Sequence, residues 1–201
     1  TDNSRIMKWA PGAEEGEFVA NMNGWSQDFV RDANGNLYMV TEHEHSVKKW
    51  SPGDSDWTVI AGGNGEGSDA NQLNNPYGLT LDGDGNLYIA DRENHRVQKW
   101  APGATEGVTV AGQSGSSGNA LNQLQYPRDV SVDENGNIYV LDTDNNRIMK
   151  WVPGATEGVK LTDLRYYGNR FHRASSGIIY TTNEWDHRVE KWNPVNNSWG
   201  T

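Results

Sequence analysis

The sequence has no cysteine. That excludes disulfides, thiolate catalysis and every zinc or iron–sulfur site built on cysteine. Compartment stays open, because a chain with a sufficient core needs no staples. Phenylalanine is scarce too, with 3 residues against 9 tryptophans, so aromatic burial falls on indoles. Positive charge is short: 17 Lys and Arg face 27 Asp and Glu, a formal balance of −10. Phosphate backbones need a basic face, so nucleic acid is not an expected partner. No apolar run approaches the length that crosses a bilayer, and membrane insertion is not expected. Hydrophobic residues still make up 34% of the 201, enough for a core and too many for a disordered chain.

What the chain does have is a repeat. Strings of the form RIMKW end at Trp9, Trp50, Trp100, Trp151 and Trp192, with spacings of 41, 50, 51 and 41 residues. A second block precedes four of them: DANGNLYMV from Asp32, DGDGNLYIA from Asp82, DENGNIYVL from Asp133 and the divergent ASSGIIYTT from Ala174. Tyr38, Tyr88, Tyr139 and Tyr180 each stand 12 residues before the next tryptophan, so the two blocks travel together. Each unit predicts four short strands. Gly78–Asp82 is apolar and β-branched, a Gly-Asn turn leads to Leu87–Asp91, a polar turn to RVQKW, and a Pro-Gly turn to Val108–Gly112. No window carries a helical period. Four strands per 40–50 residues in tandem is the pattern of a β-propeller blade.

Pro76–Trp100 and Pro127–Trp151 resemble the NHL repeat, which opens on Pro-x-Gly, passes through Asp-x-x-Gly-Asn and ends on an Asn-His-Arg strand. The resemblance extends over essentially the whole chain. It departs where Ser26 and Gly168 replace the proline and Ala174 the first aspartate. It implies an all-β propeller of NHL type, part of a six-bladed ring, with the GLTLD strand innermost and the VTVAG strand outermost. About four and a half four-stranded blades are expected: 1–22 the outer half of blade one, 23–62 blade two, 63–112 blade three, 113–162 blade four and 163–201 blade five. The expectation is that a longer chain or a second chain completes the ring, because an open arc exposes faces built for burial.

Candidate chemistry is sparse. The five repeat tryptophans are expected to pack blade on blade, with the stem of the preceding lysine along each ring. Asp82–Asn86 has the opening of a calcium loop but lacks its later ligands, and a hairpin turn accounts for its Gly and Asn. His43 and His45, with Asp28 as a third ligand, form a candidate metal set, although His45 aligns with His95 and His187 as a repeat position. The starts of the inner strands, Asp28, Gly78, Asp129 and Arg170, should ring the channel mouth. Propeller lactonases and lyases that resemble this fold hold calcium or zinc there, which makes Asp28 and Asp129 metal candidates. The stretch RYYGNRFHR supplies ligand-binding candidates in Arg165, Tyr166, Tyr167, Arg170 and His172, as guanidinium and aromatic groups suit stacking and hydrogen bonding. Trp185 breaks the repeat in a loop and joins them. The connections entering blades three and four are longer by about ten residues and share Asn-Gln-Leu, at Asn71–Leu73 and Asn122–Leu124.

The expected function is a non-enzymatic binding module presenting its loop face to a protein or glycan, with no cofactor. The alternative is a lactonase-, esterase- or lyase-like propeller enzyme with calcium or zinc at the mouth. RNA binding, known for some NHL proteins, conflicts with the charge. A single sequon at Asn196 permits an extracellular setting. If the Asp-x-x-Gly-Asn segments are turns, Gly85→Val and Gly136→Val destabilise the fold, since a β-branched residue resists positive φ. Calcium should then leave the melting curve unchanged; a large calcium-dependent rise would mark them as metal loops.

Overall fold

A computed structural model describes residues 5–22, 26–165, 167–183 and 187–200. Its first sheet is a pair, β1 (Arg5–Lys8) with β2 (Glu17–Asn21). Four antiparallel four-stranded sheets follow in chain order. Blade two holds β3 (Phe29–Arg31), β4 (Leu37–Thr41), β5 (Ser46–Trp50) and β6 (Thr58–Gly62). Blade three holds β7 (Pro76–Leu81), β8 (Leu87–Asp91), β9 (Arg96–Trp100) and β10 (Val108–Gly112). Blade four holds β11 (Pro127–Val132), β12 (Ile138–Asp142), β13 (Arg147–Trp151) and β14 (Val159–Asp163). Blade five holds β15 (Gly168–Arg173), β16 (Ile179–Asn183), β17 (Arg188–Asn193) and β18 (Ser198–Gly200). The first strand of each blade is innermost, since β7 lies against β3 and β11, and β11 against β15. This is the all-β propeller architecture expected from the repeat.

The Asp-x-x-Gly-Asn segments are hairpin turns closed by their own aspartate. The Asp82 carboxylate accepts the main-chain N–H of Asp84 and Asn86, the Asn86 side-chain amide and the Tyr88 hydroxyl. Asp32 and Asp133 repeat the pattern. Gly85 sits at φ +82°, where a side chain would be strained. Burial works to raise these carboxyls, but the donors win and hold all three below the usual carboxylate range.

The core lies between blades. Trp100 packs with Tyr38, Val40, Leu73 and Leu87, Trp151 with Tyr88, Leu124 and Ile138, and Trp192 with Tyr139, Leu141 and Phe171. Trp100 and Trp151 each also rest on a glycine: a Cβ on Gly107 would come within 2.5 Å of the Trp100 ring, and one on Gly158 within 2.7 Å of Trp151. The preceding lysines do not follow the expected course along the indoles. Their ammonium groups stand over tyrosines of the same blade, Lys99 at 5.2 Å from Tyr88 and Lys150 at 5.6 Å from Tyr139. The tyrosine is the better partner because its ring presents a face beside the turn carboxylate, and Lys99 Nζ is 3.9 Å from Asp82.

The long connections are knotted to their blades by a buried ion pair. At the end of β8, Asp91 meets the Nε of Arg96 at 2.7 Å and the amide of Asn94 at 2.9 Å. The rest of the Arg96 guanidinium donates to the carbonyls of Ser68, Asp69 and Gln72, while Asn74 N–H donates to Asp91. Blade four repeats this with Asp142, Asn145 and Arg147, whose guanidinium reaches the carbonyls of Asn119, Ala120 and Gln123. The shared Asn-Gln-Leu now has a reason: the Gln carbonyl feeds the arginine, and Leu73 and Leu124 are fully buried plugs. Blade two, entered by a short connection, has Thr41 and Ser46 where the pair would be, bonded hydroxyl to hydroxyl.

Trp9, just after β1, is 58% exposed, while Trp100 is 2% exposed. Trp100→Ala should therefore cost about 3–5 kcal/mol, a large ring lost from a closed core. Trp9→Ala should cost under about 1 kcal/mol, in the range of a surface change. Denaturation midpoints of the two variants check the contrast; equal losses would refute the packing assignment.

Candidate functional site

The face that carries the long connections and the short 3₁₀ turns also carries the mouth of the central channel. The inner strands of blades three, four and five enter there through a one-residue bulge: Pro76 pairs with Asp91 but Leu79 with Ile89, Pro127 with Asp142 but Asp129 with Leu141, and Gly168 with Asn183 but Phe171 with Thr181. A bulge turns neighbouring side chains toward one side. Here it brings Tyr77, Arg128 and Asn169 to the mouth beside Gly78, Asp129 and Arg170.

Arg170 Nη1 lies 3.4 Å from Asp28 Oδ2 and 3.8 Å from Asp129 Oδ1, so one guanidinium spans the carboxylates of two blades. The same arginine donates to the Gln27 carbonyl. The carboxylates also tie blade to blade: Asp28 accepts the N–H of Leu79 at 3.1 Å, and Asp129 that of Phe171 at 2.9 Å. Gly78 fills the corresponding place in blade three because a Cβ there would meet the Arg128 carbonyl at 2.5 Å. Burial raises both carboxyls against the opposing pull of Arg170, and Asp129, the deeper, is pushed up to about 7.

Aromatic rings complete the mouth. The Arg128 guanidinium lies 5.3 Å from the Tyr77 ring and 4.9 Å from the Tyr167 ring, and Arg170 lies 4.8 Å from Tyr77. Arg128 donates to the side-chain oxygen of Asn169, and the Tyr167 hydroxyl to Asp144 at 3.0 Å. Nearby, Tyr126 takes a left-handed φ of +48° with its ring edge-on to His95 at 4.7 Å.

The candidates from the sequence part company here. Asp28, Asp129, Arg170 and Tyr167 come together at the mouth. Arg165 is exposed in the connection before β15, and His172 lies further along β15 with its ring 6.4 Å from Tyr180. Tyr166 and Trp185 fall outside the described residues. His43 is exposed in the turn Glu42–Glu44. His45 Nδ1 accepts the Asn75 N–H at 3.2 Å, and His95 accepts that of Tyr126 at 3.3 Å, so this repeat histidine fastens one blade to the next connection. Among the described residues no three His, Asp or Glu are grouped to hold a metal ion; between Asp28 and Asp129 stands a guanidinium. Tyr77, Arg128 and Asn169 were not singled out from the sequence. The signal was the middle residue of the Pro-x-Gly column, which reads Tyr, Arg and Asn in successive blades.

The NHL repeat model matches residues 73–100 and 124–151, the two units with the Asp–Arg knot. The chain carries two NHL repeats within a propeller fold. No curated protein sequence matches it. Among solved structures, the chain superimposes on a streptogramin B lyase with a TM-score of 0.66 at 12% identity, covering 98% of this chain and 61% of that one. A catalytically inactive virginiamycin B lyase from Staphylococcus aureus with quinupristin gives 0.63 at 9%, covering 93% and 59%. A chain of a nidogen/laminin complex gives 0.72 at 17%, covering 96% and 72%. The chain thus spans about three-fifths of the length of either lyase. At these identities the likeness is one of fold.

The Asp129 environment has a pH signature. Its carboxyl moves from an ordinary 3.8 to about 7 on folding, so between those values the folded chain keeps a proton that the unfolded chain has lost. Its contribution to stability is therefore full below pH 3.8 and lost as pH rises through 7. A carbon-13 titration of the Asp129 carboxyl should show a midpoint near 7, and Asp129→Asn should remove that part of the stability slope. A midpoint near that of an ordinary aspartate would contradict it.

Proposed function

We propose that this NHL propeller is a non-enzymatic binding module that receives a protein partner on the channel-mouth face. The observation that supports it best is the commitment of the mouth carboxylates. Asp28 and Asp129 each accept a main-chain N–H from the next blade and share one arginine, so they act as struts of the ring. A general acid or base needs a group free to exchange its proton with substrate, and a metal site needs unpaired donors. What remains on offer is the Tyr77, Arg128 and Tyr167 surface, and Tyr and Arg are the residue types enriched where proteins bind. The nidogen/laminin complex is a propeller-like neighbour solved with a protein partner, which adds weight to protein over glycan. The lyase neighbours favour the second reading, an enzyme, and the test is chosen to separate the two.

A photo-crosslinking residue placed at Asp144, on the mouth face, should capture a protein from the native extract, and the capture should fall with Tyr77→Ala. The same residue at Asp84, on the opposite face, should not. Crosslinks from Asp84 alone would refute the assignment of the face. Turnover of quinupristin by the purified chain, abolished by Arg170→Ala, would replace the binding module with an enzyme.

A further inference from the structure

Arg170, Arg92 and Arg128 all stand on the mouth face, and they are not equivalent. Arg170 is shared between Asp28 and Asp129, and Arg92 pairs with Glu93 at 2.6 Å. Arg128 has no carboxylate within ion-pair distance among the described residues. Its Nε is buried with no acceptor, and its one side-chain hydrogen bond goes to a neutral amide oxygen on Asn169. In a chain with a formal charge of −10, an arginine left without an acid is a departure from the surrounding composition.

The rings of Tyr77 and Tyr167 lie against this guanidinium at 5.3 and 4.9 Å. Stacked rings fix the plane of an arginine while leaving its donor edge available, the arrangement in which bidentate recognition loses least entropy. The anion that matches a planar fork is a carboxylate. A phosphate dianion is disfavoured by Asp28 and Asp129, which flank the same mouth. Aromatic walls suit the methylene stem of an acidic side chain.

Resting on the protein-binding reading above, we infer that Arg128 anchors a carboxylate pocket at the channel mouth, which takes the side chain of a Glu or Asp from the protein partner. Arg128 and the tyrosines form the pocket; Arg170 and the two aspartates build the ring that carries it.

The probes are N-acetyl-glutamic acid α-amide and its uncharged counterpart N-acetyl-glutamine α-amide, titrated into the 201-residue chain while the arginine Nε–H signals are followed by NMR. The acid should shift the Arg128 signal saturably and the amide should not. Arg128→Lys should weaken the acid at least about tenfold, since a point charge lacks the fork, and Arg92→Gln should retain it. No shift with the acid, or equal shifts with both probes, would overturn the inference, and that comparison needs no variant to fold. Tighter binding of free succinate than of the capped glutamate would also overturn it, reassigning the pocket to small dicarboxylates. A protein crosslinked through the mouth whose capture is indifferent to Arg128→Lys overturns the pocket and leaves the binding module standing. Carboxylate binding with no crosslinked protein supports the pocket and removes the protein partner.

Discussion

The buried Asp–Arg pair at the end of the second strand is the interaction on which the loop face depends. An ion pair taken out of water is poor value unless its remaining donors and acceptors are met. In blades three and four they are met completely enough to do more than balance charge. Arg147 bonds Asp142 and three connection carbonyls, and Asn145 bonds Asp142 and the Gly118 carbonyl. An irregular connection has carbonyls with no strand to satisfy them, and each left dry would cost about 1–3 kcal/mol. The arginine gathers several at once and anchors the loop. The pair and the loop imply each other: where the connection is short, as before blade two, Thr41 and Ser46 need only bond each other.

The knot also sets the geometry of the mouth. It ends at Asn74 and Gln125, whose N–H groups donate to Asp91 and Asp142. The next residues, Asn75 and Tyr126, sit at φ +45° and +48° and donate to His45 and His95 of the preceding blades. Positive φ at a bulky Tyr persists only where the surroundings over-determine it. Here a carboxylate on one side and a histidine on the other do so. The chain then enters the inner strand at a fixed angle, the bulge follows, and Tyr77 or Arg128 is delivered to the channel. The order from loop to knot to bulge to mouth is one of mechanical necessity.

Much of this was legible in the sequence. The spacing of the Lys-Trp and Gly-Asn blocks carried strand order, turn positions and inter-blade burial, because each is a local pattern repeated in register. Asp28, Gly78, Asp129 and Arg170 could be lined up as mouth positions for the same reason. Tyr77, Arg128 and Asn169 could not. A regular strand alternates, which places Arg128 and Asp129 on opposite faces, and nothing local announces the extra residue that brings both to one side. The knots were hidden for a different reason. Asp142 and Arg147 look like one more polar turn, and their partners lie 24–28 residues earlier in a loop whose path only tertiary structure defines. The basic stretch misled as a unit, since Arg170 goes to the mouth while Arg173 stands over the Tyr139 ring, near Asp133, beside the opposite turns.

A propeller constrains its residues unequally. A position that faces the adjacent blade must fit the same surface in every unit, which is why the tyrosine and tryptophan columns hardly vary along the chain. A position that faces the axis meets a different environment in each blade and is free of that requirement. In this propeller the axial column reads Asp28, Gly78, Asp129 and Arg170, and the column beside it Tyr77, Arg128 and Asn169. The variation still obeys rules. Gly78 is forced by the approach of the Arg128 carbonyl, and Arg170 is matched to two aspartates. Once those constraints are removed, Arg128 is the member of the two columns whose charge the fold does not require: among the described residues it neutralises no acid, and its side-chain tie to the next blade goes to the neutral amide of Asn169. A charge that meets no acid among the described residues is the one left to serve a group that arrives from outside, and the tyrosine rings on either side define the space into which it comes.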